Sequence, residues 1–342
     1  MEETVLTERR ADILGLVVDE YIDTAEPVSS RALASHRRLS VSAATIRNEL
    51  ARLEEDGYIT HPYTSAGRIP SDRGYRVYIE SLMDEQPVSA EERRTVEHQL
   101  YQATGGLDEW LSLSAAILAA LVENVAVIMR PRARVARLKH VQLVQLHEDS
   151  ALVVAVMDDG RVQQRVLPLH TPASQPDLNE RAARLNARCA DRDAAVARRA
   201  AADLSDPDDA GLAAALAELI EDHRAADETY LEGVQVALEQ PEFSSPERMR
   251  QAVRHLEAYE LHQALPSPVE LEDGTMRVLI GNENADDWLH EWSVVVAIYG
   301  DRQGPTGTVA VLGPTRMDYA RTIPRVRYVA TLMDSLMREV GV

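Results

Sequence analysis

Apolar residues recur at helical spacing in the first part of the chain, and this pattern predicts three consecutive helices. Pro27 ends the first helix, because proline cannot continue a helical hydrogen-bond ladder. Ser29 or Ser30 can cap a short second helix. Ser42 can cap a third helix, which Gly57 can end. The apolar positions of the first helix are Ile13, Leu14, Val17, Val18, Tyr21 and Ile22.

A short hairpin is predicted directly after the third helix. Residues 58–70 have the pattern of a strand, a turn that contains Gly67, and a second strand or extended segment. Asp72 then opens a further helix. Three helices, a small hairpin and a following helix predict a winged helix-turn-helix domain over residues 1–85.

The period of the pattern changes in the rest of the chain. Residues 86–106 are predicted as a linker, although the pattern over residues 91–129 is largely helical. Alternation with period two predicts strands at 141–146, 151–157 and 162–167, and the last two are joined by a hairpin turn at 158–160. Residues 173–265 are helical again, apart from a loop at 203–211. Strands return at 276–280, 293–298 and 308–312, and a final helix covers 319–340.

This order of elements predicts an α+β multidomain protein. Strands followed by a helical block and then by more strands indicate one α+β domain with an inserted, mainly helical segment. We assign residues 107–172 and 270–342 to the α+β domain and residues 173–269 to the insertion.

Composition limits the class of protein. The chain has 342 residues, of which 45% are hydrophobic and only 4% aromatic, so the core must be built mainly from aliphatic residues. The longest apolar stretch, 115–122, is far too short to span a membrane, and no signal peptide is recognisable, so we expect a cytoplasmic protein. The single cysteine, Cys189, cannot form an internal disulfide or a cysteine-rich zinc site, and we interpret it as structural.

Charge is distributed unevenly. The net charge of −20 argues against a protein that coats nucleic acid over its whole surface. Residues 31–76, however, contain eight Arg against five Asp or Glu, a local balance of +3, whereas residues 1–30 have a balance of −6. Arginine forms bidentate contacts with phosphate and guanine, so a local DNA-binding site is compatible with the acidic chain.

The third predicted helix has two chemically different faces. At about 100° per residue, one face carries the aliphatic residues Ala43, Ile46, Leu50 and Leu53 and is expected to pack on the first two helices. The opposite face carries Ala44, Thr45, Asn48, Ala51 and Arg52, with Arg47 on one flank. Small residues allow close approach to DNA, and the polar residues can contact bases, so we predict that this helix lies in the major groove.

Each polar residue of that face has an expected partner. Asn48 can pair with adenine and Arg52 with guanine, and a threonine methyl can touch a thymine methyl. Arg47, Ser42 and the backbone N–H groups at the helix start can hold phosphates. The turn between the hairpin strands would form the wing, and its candidate contacts are Thr64, Ser65 and Arg68, the last reaching a phosphate or the minor groove.

No set of residues predicts an enzyme, a cofactor or a metal site. His255 and His262 can share a helix face, but no third ligand is evident. The acidic loop around Asp286 lacks a nearby nucleophile, and the segment 313–316 lacks the Gly-rich, Lys-containing loop of nucleotide sites. We therefore expect no catalytic residues, no cofactor and no bound metal.

Several segments resemble a known family. They are LTER at 6–9, TAEPVSSR at 24–31, ATIRNELARLE at 44–54, HPYTSAGRIP at 61–70, PEF at 241–243, IGNEN at 280–284 and GPTRMDY at 313–319. In this order they are similar to the motifs of the HrcA family of bacterial heat-inducible transcription repressors. The resemblance extends over nearly the whole chain, although residues 173–238 carry none of these motifs.

The resemblance implies a specific function. Members of that family bind, as dimers, an inverted-repeat operator upstream of the chaperonin and Hsp70-type chaperone operons and block transcription. The resemblance further implies a GAF-like fold for the α+β domain, a dimerising role for the insertion, and DNA binding that depends on the chaperonin. The expected partners are therefore double-stranded DNA, a second copy of the chain and the chaperonin, with no membrane.

One alternative stays open at this point. A GAF-like domain often binds a small effector, and the winged helix would then report a metabolite instead of heat stress. Binding of a metabolite would distinguish the two.

Overall fold

A computed structural model gives the structure of most of the chain, in two compact units. It describes residues 6–36, 41–63, 66–103, 106–132, 136–158, 160–225, 229–257, 265, 276–300 and 304–340. The first unit comprises residues 1–129, 229–300 and 307–341, and the second comprises residues 130–228 and 301–306.

The chain is a mixture of helices and several sheets. The helices are α1 (Glu8–Thr24), α2 (Ser30–Ala34), α3 (Ala43–Glu55), α4 (Asp72–Val77), α5 (Ala90–Tyr101), α6 (Leu107–Val122), α7 (Gln175–Cys189), α8 (Ala194–Asp203), α9 (Pro207–Ala225), α10 (Val234–Leu238), α11 (Pro246–Glu257) and α12 (Tyr319–Val340). The strands are β1 (Ile59–Thr60), β2 (Ile69–Pro70), β3 (Val125–Arg132), β4 (Leu138–His147), β5 (Ser150–Met157), β6 (Val162–Pro168), β7 (Thr229–Glu232), β8 (Arg277–Ile280), β9 (Trp292–Gly300) and β10 (Thr306–Pro314). None of the helices in the described part of the chain is long and apolar enough to cross a membrane.

The first unit begins with a helical head, which we define as residues 6–82. Serine side chains cap its helices: Ser29 caps α2, Ser42 caps α3 and Ser71 caps α4, each by accepting a backbone N–H bond. A π-helical turn, Tyr78–Leu82, continues α4. The strands β1 and β2 pair antiparallel between α3 and α4.

A five-stranded sheet forms the rest of the first unit, with the strand order β7-β3-β10-β9-β8. Alternate residues of its strands belong to two separate clusters of buried side chains, because successive side chains of a strand point to opposite faces. One cluster contains α6, α12 and the apolar residues of the head. The other contains residues of α10 and α11, together with Phe243 and Trp292, whose rings are 4.8 Å apart. Both faces of the sheet are therefore covered.

The second unit contains the antiparallel sheet β4-β5-β6. Ala151, Val153, Ala155 and Met157 on one face of β5 are fully buried in a cluster with residues of α7, α8 and α9. The alternate residues of β5 are only half-buried. Among the described residues, the sheet thus has one face packed on helices and one partly exposed face, which we call its open face.

The structure confirms several predicted elements and corrects others. The final helix has the predicted bounds 319–340, and the strands predicted at 141–146, 151–157 and 162–167 are observed as β4, β5 and β6. The helical pattern predicted over 91–129 is wrong at its end, because Val125–Arg132 is a strand. Residues 125–131 include a continuous buried apolar run, and such a run has no period that separates a strand from a helix. The loop predicted at 203–211 is also too long, since α9 begins at Pro207.

The compact units divide the chain at other residues than the predicted domains. The segment 86–106, predicted as a linker, contains α5, whose Val96 and Leu100 are buried with Ile117 of α6. The strands β4, β5 and β6, which we assigned to the α+β domain, lie in the second unit together with α7 to α9.

One buried carboxylate joins β6 to α9 within the second unit. Asp208, in the first turn of α9, is 4% exposed. It accepts hydrogen bonds from the Thr171 hydroxyl (2.6 Å) and the His170 N–H (2.6 Å). Burial raises the pKa of Asp208, but the hydrogen bonds from Thr171 and His170 outweigh it and hold this pKa well below its usual value of 3.8.

We predict that Asp208→Asn destabilises the second unit in a pH-dependent way. The loss at pH 7 should be about 2 kcal/mol, because the amide cannot accept the same set of hydrogen bonds. Because the folded pKa is depressed, the carboxylate contributes its full stability above the unfolded pKa and loses it as the pH falls through the folded pKa. Urea unfolding of the variant and the wild type should therefore differ at pH 7, and the difference should shrink as the pH falls below the usual carboxyl value of 3.8. Asp203→Asn, at an exposed position of α8, is the control; an equal loss at all pH values would contradict this account.

Candidate nucleic-acid interface

The inner face of α3 is sealed by aliphatic side chains. Ile46 and Leu53 are 0% exposed and Leu50 is 4% exposed, in one cluster with Ile13 and Leu33 of the neighbouring helices. The predicted packing of this face is confirmed for these three residues. Ala43, predicted to join them, is exposed instead, because it is the first residue of α3 and lies a turn before Ile46.

The outer face of α3 has the polar and small residues that the sequence predicted. The side chains of Ala44, Arg47, Asn48, Ala51 and Arg52 are all exposed. Two alanine methyl groups and the Asn48 amide therefore lie next to two guanidinium groups, on a surface that the rest of the head does not cover. Such a surface can approach a groove edge closely and can donate hydrogen bonds to it.

Ser42 and Thr45 are occupied at the start of α3. The Ser42 Oγ atom accepts a hydrogen bond from the Thr45 N–H (3.2 Å) and lies 3.0 Å from the Thr45 hydroxyl oxygen. Thr45 is half-buried, so it is less accessible than the sequence suggested. The remaining N–H groups of the first turn have no partner within the helix, and this leaves a weak positive pole at the start of α3.

Ion pairs fix α3 against α1. The guanidinium of Arg10 donates from Nε to Glu49 (3.1 Å) and from Nη1 to Asp56 (3.3 Å). The Arg10 side chain is 18% exposed and that of Glu49 is 12% exposed. Because one carboxylate lies near the middle of α3 and the other directly after its end, Arg10 contacts the helix at two points and opposes its rotation about its axis.

The hairpin is short and is anchored at its second strand. Ile59 pairs with Pro70 and Thr60 with Ile69. Arg68 exchanges two backbone hydrogen bonds of 2.8 Å with Val28. A side chain at Gly67 would overlap the carbonyl oxygen of Pro27, so only glycine permits this close approach.

Arg68 contacts α3 in this structure. Its guanidinium binds the Glu54 carboxylate, with Nη2 and Oε2 2.7 Å apart, and the other oxygen of Glu54 contacts His61. The Arg68 side chain is half-buried, and its Nε atom is buried without a hydrogen-bond partner among the described residues. Thr64 and Ser65, the other predicted wing residues, lie outside the described residues.

Sequence reasoning did not identify the residues that hold the interface in place. Glu54 connects α3 to both arms of the hairpin, at His61 and Arg68, and Arg10 connects it to α1. Arg10 and Glu49 are 39 positions apart. No local pattern indicates such pairs, and only the segment 44–54, which ends at Glu54, pointed to this region.

His255 and His262, which the sequence analysis considered as metal ligands, are not seen together at a metal site among the described residues. The ring of His255 stacks on Trp288, with centroids 4.9 Å apart, and His262 lies outside the described residues. In the described part of the chain, no group of three or more His, Cys, Asp or Glu side chains could hold a metal ion.

Comparisons with known proteins give a consistent family. The family model "HrcA protein C terminal domain" matches residues 108–323. The heat-inducible transcription repressor HrcA of Roseiflexus castenholzii is 42% identical over 352 residues, covering 98% of this chain and 96% of that protein. The proteins of the same name from Chloroflexus aggregans and Thermomicrobium roseum are 39% and 37% identical, each over 98% of this chain and over 94% and 97% of their own lengths.

A solved structure shares the fold. A crystal structure of a hypothetical protein superposes with a TM-score of 0.57 at 22% identity, covering 98% of this chain and 99% of that chain. At this identity the likeness concerns the fold alone.

The resemblance inferred from the sequence motifs is thus confirmed along the chain. With a family model over residues 108–323 and relatives 37–42% identical over 98% of its length, the chain belongs to the HrcA family of heat-inducible transcription repressors.

Proposed function

We propose that this protein represses transcription of chaperone operons by binding an inverted-repeat operator as a dimer, in the cytoplasm. Residues 1–85 would be a winged helix-turn-helix domain with α3 as its recognition helix. The observation that carries the proposal is the division of α3: Ile46, Leu50 and Leu53 are buried on one face, and Asn48 and Arg52 are exposed on the other. The family membership supports the regulatory role.

We propose a separate role for each exposed residue of α3. Asn48 pairs with an adenine and Arg52 with a guanine. Ala44 is small enough to let the helix approach the groove closely, and the Thr45 methyl group contacts a thymine methyl. Arg47 binds a phosphate beside the groove. Ser42 acts through its cap, because its hydroxyl is already bonded to Thr45 and only backbone N–H groups remain to meet a phosphate.

The hairpin would form the wing. Arg68 is paired with Glu54 in the free protein and would exchange this carboxylate for a phosphate on DNA, with Thr64 and Ser65 at the tip. Glu54 would keep the arginine beside α3 until DNA arrives. The acidic remainder of the chain, with a net charge of −20, would disfavour DNA contact elsewhere.

An inverted repeat requires two α3 helices related by a two-fold axis. We propose that the second unit, residues 130–228, supplies the dimer contact and that the five-stranded sheet with its covering helices is the GAF-like domain. This moves the dimerising segment toward the N-terminus from the predicted 173–269, because β4, β5 and β6 belong to that compact unit.

The open face of the β4-β5-β6 sheet supports this choice. Its apolar residues form one patch: Val144, Leu152, Val154, Val156, Val162 and Val166. Val144 pairs with Leu152, Leu152 with Val166, and Val156 with Val162, so the patch is continuous across the three strands. Val162 and Val166 are each 56% exposed. A contiguous apolar patch of this kind typically marks a protein interface, and a second copy offers the same surface.

We predict that Asn48→Ala weakens operator binding by about 1–3 kcal/mol and relaxes specificity at one base position. The reason is the loss of a bidentate hydrogen bond to one base. Binding is measured by titration of the inverted repeat that the wild-type protein protects in footprinting. Gln99→Ala, an exposed amide on α5, is the matched control and should bind as the wild type does. Equal affinity and specificity of the Asn48 variant would refute the assignment of α3.

We predict that Val166→Glu converts the dimer to a monomer, because a carboxylate within the patch would lose its water on association. Light scattering on a sizing column measures the mass. Val236→Glu places the same charge at a 43% exposed valine of α10 and should leave the dimer intact. A dimeric Val166 variant would show that another surface forms the contact.

We also propose that the chaperonin maintains the active population of the repressor, as the family resemblance implies. The expected result is that protein heated and recooled without chaperonin loses most of its operator footprint and regains it when chaperonin and ATP are present. A complete footprint after recooling alone contradicts this part of the proposal and leaves the role of α3 untouched.

A further inference from the structure

Two of the family-like segments, 280–284 and 313–319, have no part in the proposed DNA contact. Both lie in the sheet region of the first unit, and both contact the head. We propose that Asp72, Arg76 and Arg316 are positioning residues, which fix the head on the sheet so that a dimer accepts one half-site spacing. This inference rests on the proposed function.

The first contact joins α4 to the turn after β8. The Arg76 guanidinium donates to the carbonyl oxygen of Val278 (2.6 Å) and to the Glu283 carboxylate from Nε (3.0 Å), and Nη2 also contacts the second oxygen of Glu283. The same Glu283 oxygen accepts the N–H of Ile280, which holds the carboxylate in place. A planar guanidinium bound at three points fixes direction as well as distance.

Asp72 completes this contact from the start of α4. Its Oδ2 atom accepts hydrogen bonds from the backbone N–H (3.0 Å) and the side-chain amide (2.7 Å) of Asn282. Gly281 has φ +51°, and a Cβ atom there would lie 2.5 Å from the Asp72 carboxylate. Glycine is therefore required at this position for two reasons, its backbone conformation and the room it leaves for Asp72.

The second contact lies at the end of α1. Arg316 donates from Nη1 to the carbonyl oxygen of Ile22 (2.7 Å), in the last turns of α1, and its Nε donates to Glu242 (2.7 Å). The Arg316 side chain is only 13% exposed. Between the two contacts, the rings of Tyr75 and Tyr319 pack with centroids 5.7 Å apart.

Two directional contacts at separate points determine the orientation of the head. The apolar cluster that the head shares with α12 and the sheet holds them together, and the polar contacts at α1 and at α4 select one orientation within that packing. Partly buried ion pairs add little net stability, but leaving one partner unpaired is costly, so they select one arrangement among several. Because α3 is fixed to α1 through Arg10, the orientation of the head is also the orientation of α3.

The spacing preference of a dimer follows from this rigidity. Half-sites lie at a fixed separation along the duplex, and both α3 helices must reach the groove together. Lengthening the spacer by two base pairs rotates one half-site by about 70° relative to the other. A fixed head cannot follow this rotation, whereas a freed head can.

The experiment compares the wild type with Arg76→Gln, Gly281→Ala and the double variant Arg76→Gln/Arg316→Gln. Glu80→Gln is the matched control, because Glu80 pairs with Arg76 only within the head, at 3.8 Å. The probes are two duplexes, one with the inverted repeat protected by the wild type and one with its spacer lengthened by two base pairs. The wild type and the control should bind the longer duplex at least about tenfold more weakly, and the double variant should bind both within about threefold.

A second readout needs no DNA. Spin labels on Glu55→Cys in α3 and Ser335→Cys in α12, both exposed positions, are placed in a Cys189→Ala background, with unlabelled protein in excess. The distance distribution should be narrow in the wild type and in the Glu80 control, and broad in the double variant. Gly281→Ala should broaden it as well, because the new methyl group displaces Asp72.

A narrow distribution in the double variant, or an unchanged ratio between the two duplexes, overturns the positioning role. If the wild type protects no inverted repeat in footprinting, the proposed function fails instead, and the distance distribution still decides whether these residues hold the head. Re-pairing supplies the last check: Arg76→Glu/Glu283→Arg should restore part of the spacing preference, which a merely destabilised protein would not regain.

Discussion

Burial of three aliphatic side chains beneath α3 is the constraint on which the proposed interface depends. Ile46, Leu50 and Leu53 are almost entirely removed from water. Burial of each such side chain contributes about 1.5–3 kcal/mol, so rotating the helix to expose them would cost several kcal/mol. Asn48 and Arg52 face outward because that alternative is so unfavourable, and not because anything attracts them to solvent. Burial of these aliphatic side chains therefore sets the direction of the polar face before any DNA is present.

Polar contacts then give α3 a defined place. Arg10 holds it to α1, Glu54 holds it to the hairpin, and Arg76 and Arg316 hold the head to the sheet. These pairs are partly exposed, so each adds little to stability, but together they leave few arrangements with all partners satisfied. Stability comes from the aliphatic core and orientation from the arginines. The proposed dimer would need this division, because it would have to present two α3 helices at one spacing.

Local patterns in the sequence were sufficient for the elements with a clear period. The helical period of apolar residues located α1 and α3, and alternation with period two located β4 to β6. The polar face of α3 followed from placing its residues at about 100° intervals around the helix axis. β3 was missed because its buried apolar run has no period. Ala43 was wrongly predicted to be buried, because the first turn of α3 projects past the apolar core that the rest of the helix packs on. The partners of Arg68, Arg76 and Arg316 could not be predicted, since Arg76 and Glu283 are 207 positions apart and only the folded chain brings them together. The motif matches marked these segments as characteristic of the family without indicating what they touch.

The most direct test of the account is photo-crosslinking of the protein to an inverted repeat that carries 5-iodouracil in the major groove. The account predicts that the crosslinked peptide comes from α3, Ala43–Glu55. The main rival surface in the described part of the chain is α11, which exposes Arg248, Arg250 and Arg254. Crosslinks confined to α11, with none in α3, would contradict the central claim.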